Sequence, residues 1–141
     1  MIRPSKLLWT HWLPVILYCL MIFIQSAHPA PENLPPIAHL DKLLHAGAYA
    51  LLGALFFRAF STTPARNNLA GIVLLSILSA GLYGISDELH QSFVPYRNAD
   101  VLDALADITG SALGAYLYLG LVFKKNRTPE KVRIDKPGGF I

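Results

Sequence analysis

The sequence predicts an all-α, polytopic membrane protein: four transmembrane helices in a compact bundle. Two observations carry that expectation. Of 141 residues 53% are hydrophobic and only 15% charged, and the mean hydropathy is +0.42, whereas a soluble domain is about a quarter charged. The apolar residues also gather into four runs near the ~20 residues that a helix needs to cross the hydrocarbon. The same composition excludes other classes. Intrinsic disorder needs low hydrophobicity and high net charge. One cysteine, Cys19, cannot build a disulfide scaffold. A balance of +3 is too mild for a nucleic-acid binder.

The first run, Leu7 to Ala27, carries no charge. Arg3 and Lys6 before it and Ser26-Ala27-His28 after it also fit a cleavable signal peptide. Its full spanning length, and the lack of a clean small-x-small site, favour a retained helix. The second run, Leu43 to Phe60, has His45 near its start and Arg58 near its end. Leu69 to Ile85 is uncharged, then turns polar in Ser86-Asp87-Glu88-Leu89-His90-Gln91. Val101 to Phe123 is apolar except for Asp103 and Asp107. The connectors are helix-breaking: four prolines between His28 and Pro36, Pro64 after the second run, and Pro95 before the fourth. We therefore expect a membrane domain over residues 1-123 and a basic cytoplasmic tail over 124-141, which holds six Lys and Arg and is suited to anionic lipid.

Lys and Arg set the orientation. With both termini inside, Arg3, Lys6, Arg58, Arg66 and the six basic residues of the tail are cytoplasmic, ten of the twelve, leaving Lys42 and Arg97 outside. Glu32, Asp41, Asp87, Glu88, Asp100, Asp103 and Asp107 then fall on or near the outer face, seven of nine acids. On a helix Asp100, Asp103 and Asp107 share one stripe, with Asp107 about 10 Å below Asp100. Lys42, His45 and Tyr49 share a face of the second helix, and Tyr83, Asp87 and His90 or Gln91 a face of the third. Gly47, Gly53, Gly81, Gly84, Gly110 and Gly114 are the small residues that permit close helix approach. A charge at the bilayer centre costs at least about 2.5–3.5 kcal/mol. The expectation is a polar pocket among the second, third and fourth helices, open to the outside.

Simpler roles compete with this one. Asp41 and Asp100 are placed to N-cap their helices, with Asp103 at the third position of a capping box. Lys42 and Arg58 are placed to snorkel. His11, His28 and His39 have no periodic companions. Asp87 and Glu88, by contrast, oppose the dipole at a helix C-terminus, which asks for specific partners.

Asp41-Lys42-Leu43-Leu44-His45-Ala46-Gly47-Ala48-Tyr49 resembles the D-K-x-x-H-x-x-x-[YF] signature of the VanZ-like family of small bacterial membrane proteins. Asp87-Glu88-Leu89-His90-Gln91-Ser92-Phe93-Val94-Pro95-Tyr96-Arg97 is similar to its D-E-x-x-Q-x-[FY]-x-P-x-R, and Asp103 through Asp107 to Gly110 to its D-x-x-x-N-x-x-G. Phe23-Ile24-Gln25-Ser26 is similar to the serine-containing end of the family's first helix. Asp107 departs from the pattern, standing where asparagine is usual. The resemblance implies a four-helix domain in the bacterial cytoplasmic membrane, in a family named for a glycopeptide (teicoplanin) resistance protein, with no defined reaction.

Two functions fit these residues. In the first, the pocket binds an envelope lipid, a headgroup, a glycopeptide or another membrane protein, using Asp41, Lys42, His45, Asp87, Glu88, Gln91, Arg97, Asp103 and Asp107. Lys42, His45 and Arg97 would supply donors to an anionic group. In the second, the chain is a membrane-embedded hydrolase of an envelope lipid or phosphate ester. Its catalytic candidates are His45, Asp87 and Glu88, and a divalent cation would sit on Asp87, Glu88, Asp103 and Asp107, with His90 nearby. A cysteine triad finds no support, because Cys19 lies in an apolar run where a thiolate is disfavoured. A channel would need a continuous polar path, and four helices polar at one end do not offer one.

Overall fold

Proline placement shapes the first helix. Pro14 has no N–H to donate, and its ring would strike the carbonyl four residues back. The chain, described here from a computed structural model over residues 4–29, 39–95 and 97–127, resolves this locally. A short helix α1 (Pro4–Leu7) runs into a π-helical turn (Leu8–Trp12) and then into α2 (Leu13–Ser26). The Leu13 amide reaches back five residues to the Leu8 carbonyl, the widened turn that admits a proline next door.

The remaining elements are α3 (Leu40–Phe60), a 3-10 turn (Pro64–Asn67), α4 (Leu69–Gln91) and α5 (Val101–Arg127). Four helical stretches are long and apolar enough to cross a membrane, and no strand occurs among the described residues. The protein is a multi-pass membrane protein. The proline-rich connector and the end of the basic tail lie outside the described residues.

Three expected boundaries move. The third helix does not stop at Ile85 but continues to Gln91, because no proline or glycine interrupts it before Pro95. Its polar residues form the last turns of the helix, as the shared face of Tyr83, Asp87 and Gln91 requires. The second helix starts at Leu40, and the fourth runs on to Arg127. Asp41 is not the N-cap expected of it: His39, in the left-handed region at φ 61°, occupies that place without a side-chain cap bond, and Asp41 sits inside the first turn. Asn68 and Thr63 do cap, accepting from the Gly71 and Ala65 amides at 2.9 and 3.3 Å.

Lipid tails offer helices no hydrophobic reason to associate, so packing and polar contacts must hold them together. The α3–α5 pair relies on packing. A Cβ on Gly53 would overlap the Ser111 carbonyl, one on Gly110 the Ala46 carbonyl, and one on Gly114 the Ala50 carbonyl. Backbone therefore lies on backbone for two turns. Gly47, expected to share this role, faces open space. Two apolar clusters fill the bundle, one around Val15, Tyr49, Leu52 and Ala80, the other around Phe57, Ile72 and Ala115. Leu17, Leu74, Leu82, Leu105 and Leu121 are exposed on the outside, as a surface meeting lipid requires.

Candidate functional site

The end of α2, the start of α3, the end of α4 and the start of α5 meet at one end of the bundle, and their polar side chains sort into three groups. The first centres on Lys42. Its Nζ reaches Asp41 at 2.9 Å, Asp100 at 2.6 Å and Asp103 at 2.8 Å. Asp100 also caps α5, its Oδ1 accepting from the Leu102 amide at 2.8 Å. The Lys42 ammonium beside it holds the Asp100 carboxyl below the usual range. The capping box expected of Asp103 does not form, because Asp103 is drawn to Lys42. Glu88 takes its place from across the bundle, with Oε2 accepting from the Asp100 amide at 2.9 Å.

The second group lies deeper, where α3, α4 and α5 touch. His45 Nδ1 stands 3.0 Å from Asp107 Oδ1 and 3.9 Å from Glu88 Oε1. Asp107 is completely buried and Glu88 nearly so. Gly84 makes the room, since a Cβ there would lie 2.7 Å from Asp107 Oδ2. That oxygen and the Tyr49 hydroxyl have no hydrogen-bond partner.

The third group joins α2 to α4. Ser26 Oγ donates to Asp87 Oδ1 at 2.6 Å, and Gln91 Nε2 donates to Asp87 Oδ2 at 3.0 Å. Buried Asp87 is thus satisfied by neutral donors. His90 Nδ1 is 3.4 Å from the same serine oxygen, and Asp87 is the nearer acceptor of the serine hydroxyl. Arg97 Nε donates to the His28 carbonyl at 3.0 Å.

Between these groups opens a cavity of about 400 Å³, lined by Met21, Ile22, Leu44 and Ala48 on its apolar side and by Gln25, Ser26, Asp41, His45, Tyr49, Asp87, Gln91 and Arg97 on its polar side. The cavity lies among the first three spans, not among the second, third and fourth as expected, and the nine residues expected to share it are distributed. Asp41, His45, Asp87, Gln91 and Arg97 line the cavity; Glu88 and Asp107 lie in the helix seam beside it; Lys42 and Asp103 form the ion cluster. Asp87, Glu88, Asp103 and Asp107 do not converge as one ligand set. Instead His45, Glu88 and Asp107 bring one ligand atom each within 4.8 Å of one another. Three polar contributors, Gln25, Ser26 and Tyr49, were not picked out as site residues. Ser26 was visible only as a motif serine ending the first helix, and Tyr49 only as a face-mate of His45.

A family model, VanZ/LLP1, matches residues 6–124, a stretch that contains all three groups. The chain belongs to the VanZ/LLP1 family. An uncharacterized protein of Schizosaccharomyces pombe is 30% identical over 139 residues, covering 98% of this chain and 81% of that relative. This VanZ/LLP1 chain thus has a eukaryotic relative aligned across nearly its whole length. No solved structure matches it.

Proposed function

We propose that this VanZ/LLP1 protein binds the phosphate-bearing headgroup of an envelope lipid in the cavity between α2, α3 and α4. In this reading both termini are cytoplasmic and the cavity opens on the outer side of the cytoplasmic membrane. One observation carries it: a cavity of about 400 Å³ combines an apolar wall with His45, Asp87 and Arg97. That volume falls within the ~300–1,000 Å³ of small-molecule sites, which are mostly apolar with a few placed polar groups. At the end of a membrane bundle such a lining suits an amphiphile. Arg97 has a guanidinium fork matched to phosphate, and His45 is a second donor. Lys42 is not assigned to the ligand, because three carboxylates already surround it. The teicoplanin link implied by the family resemblance fits an envelope amphiphile as ligand.

The test is native mass spectrometry of the detergent-purified full chain, supplied with a defined anionic phospholipid and, separately, a neutral diacylglycerol. The reading expects retention of the phospholipid over the diacylglycerol. It also expects at least about a fivefold drop, or about 1 kcal/mol, in Arg97→Ala and in Leu44→Trp, which fills the cavity. Equal retention of both lipids, or undiminished retention by both variants, would overturn it.

A further inference from the structure

Three carboxylates in the membrane-spanning helices, Asp87, Glu88 and Asp107, are no more than 5% exposed. Among the described residues the ion pairs these three form are with one group, the His45 imidazole. Lys42 is held by Asp41, Asp100 and Asp103, and the Arg97 Nε–H by a backbone carbonyl. With all three ionised, even a protonated imidazole would leave this region negative. Buried charges of that kind are paired or coordinate metals.

Geometry says where a balancing cation would go. Ligand atoms about 2.1 Å from a metal stand about 3.0–3.4 Å apart at tetrahedral or octahedral angles. His45 Nδ1 and Asp107 Oδ1, at 3.0 Å, already do. The His45–Glu88 separation of 3.9 Å would have to shorten by about half an ångström to meet that spacing. A second, independent feature is the Tyr49 hydroxyl. Its side chain is 1% exposed, its oxygen has no partner, and it stands one turn beyond His45 on the same face of α3. Asp107 Oδ2 is likewise buried and unpartnered. A buried carboxylate oxygen without a partner, beside an imidazole and a second carboxylate, calls for a further electropositive group.

We propose that His45 Nδ1, Glu88 Oε1 and Asp107 Oδ1 hold a divalent transition-metal cation at the junction of α3, α4 and α5. The cation replaces the proton shared by His45 and Asp107. One imidazole nitrogen with two carboxylates suits Zn²⁺ or Mn²⁺, whereas Mg²⁺ and Ca²⁺ favour oxygen-only sets. Asp87 is not a ligand, being satisfied by Ser26 and Gln91. Neither is Asp103, which serves Lys42.

The experiment uses tag-free full-length protein in detergent, stripped with a chelator, titrated with ZnCl₂ by calorimetry and assayed for metal content. One Zn²⁺ per chain is expected, with affinity lowered at least about tenfold in Asp107→Asn and in Glu88→Gln. Asp103→Asn should leave it within about twofold. Leu44→Trp should leave the stoichiometry at one, which separates this site from the lipid reading. Co²⁺ added to the wild-type protein provides a readout independent of how the variants fold, and visible d–d absorption that Zn²⁺ abolishes is expected. No Zn²⁺ binding by the wild-type chain, binding unaffected in both ligand variants, or no such Co²⁺ absorption would overturn the proposal.

Discussion

Helix α5 and helix α2 both pack against α3, by opposite means. Between α3 and α5, glycines at 53, 110 and 114 let backbone touch backbone. Helix α2 has no such seam. Only 11% of its span is buried, against 28% for α3 and α5 and 33% for α4. It is pinned by individual hydrogen bonds. The Tyr18 hydroxyl donates to the Ala48 carbonyl at 3.1 Å, Tyr83 to the Cys19 carbonyl at 2.5 Å, and Ser26 to Asp87 at 2.6 Å. Trp12 adds an edge-to-face contact with Phe60. The close seam brings the deep His45–Asp107 pair together, Nδ1 to Oδ1 at 3.0 Å. The pinned helix leaves space, and that space is the cavity. Shape for a ligand and rigidity for the charged cluster thus come from different helix pairs.

Breaking the seam should do the most damage. Gly114→Ala puts a Cβ on the Ala50 carbonyl, and neither backbone can yield cheaply. A loss at the top of, or beyond, the ~1–3 kcal/mol of core overpacking is expected, read as lowered thermal stability in detergent. Breaking a pin should cost less. Ser26→Ala leaves Asp87 Oδ1 without its hydroxyl donor, a loss of about 1–2 kcal/mol. That variant should also loosen α2, measured as faster amide exchange over Leu13–Ser26 with α3 and α5 unchanged. Gly47→Ala supplies the smallest effect and the opposite sign. It meets nothing within 4 Å, so the helix should gain about 0.5–1 kcal/mol. Equal damage from Gly47→Ala and Gly114→Ala would dissolve the distinction between seam and surface.

Much of this was readable in the sequence. Four apolar runs yielded four helices, and the acids clustering around Asp87 and Asp100 do meet at one end, because helix order and length alone force those ends together. The face shared by Lys42, His45 and Tyr49 was also visible, since helical periodicity is local. Which acid meets which base was not. Lys42 draws in Asp103, so His45 is left with Asp107, and that choice depends on how α3 and α5 are rotated about the glycine seam. Glu88 accepting the Asp100 amide, and Ser26 reaching Asp87 across 61 positions in sequence, are long-range contacts that no periodicity encodes. Gly47 shows the converse. As a small residue expected to permit close approach it was grouped with Gly110 and Gly114, and the packing separates them.

For the lipid reading to hold, the shared polar end must face one side of the membrane, away from the cytosol. Single cysteines at exposed Ser92, Asn98 and Asn67, in a Cys19→Ala background, would be probed with a membrane-impermeant maleimide in intact bacterial cells expressing the chain. Labelling at positions 92 and 98 without permeabilisation, and at 67 only after it, is the expected pattern. Labelling of 67 in intact cells, or of 92 and 98 from opposite sides, would contradict it.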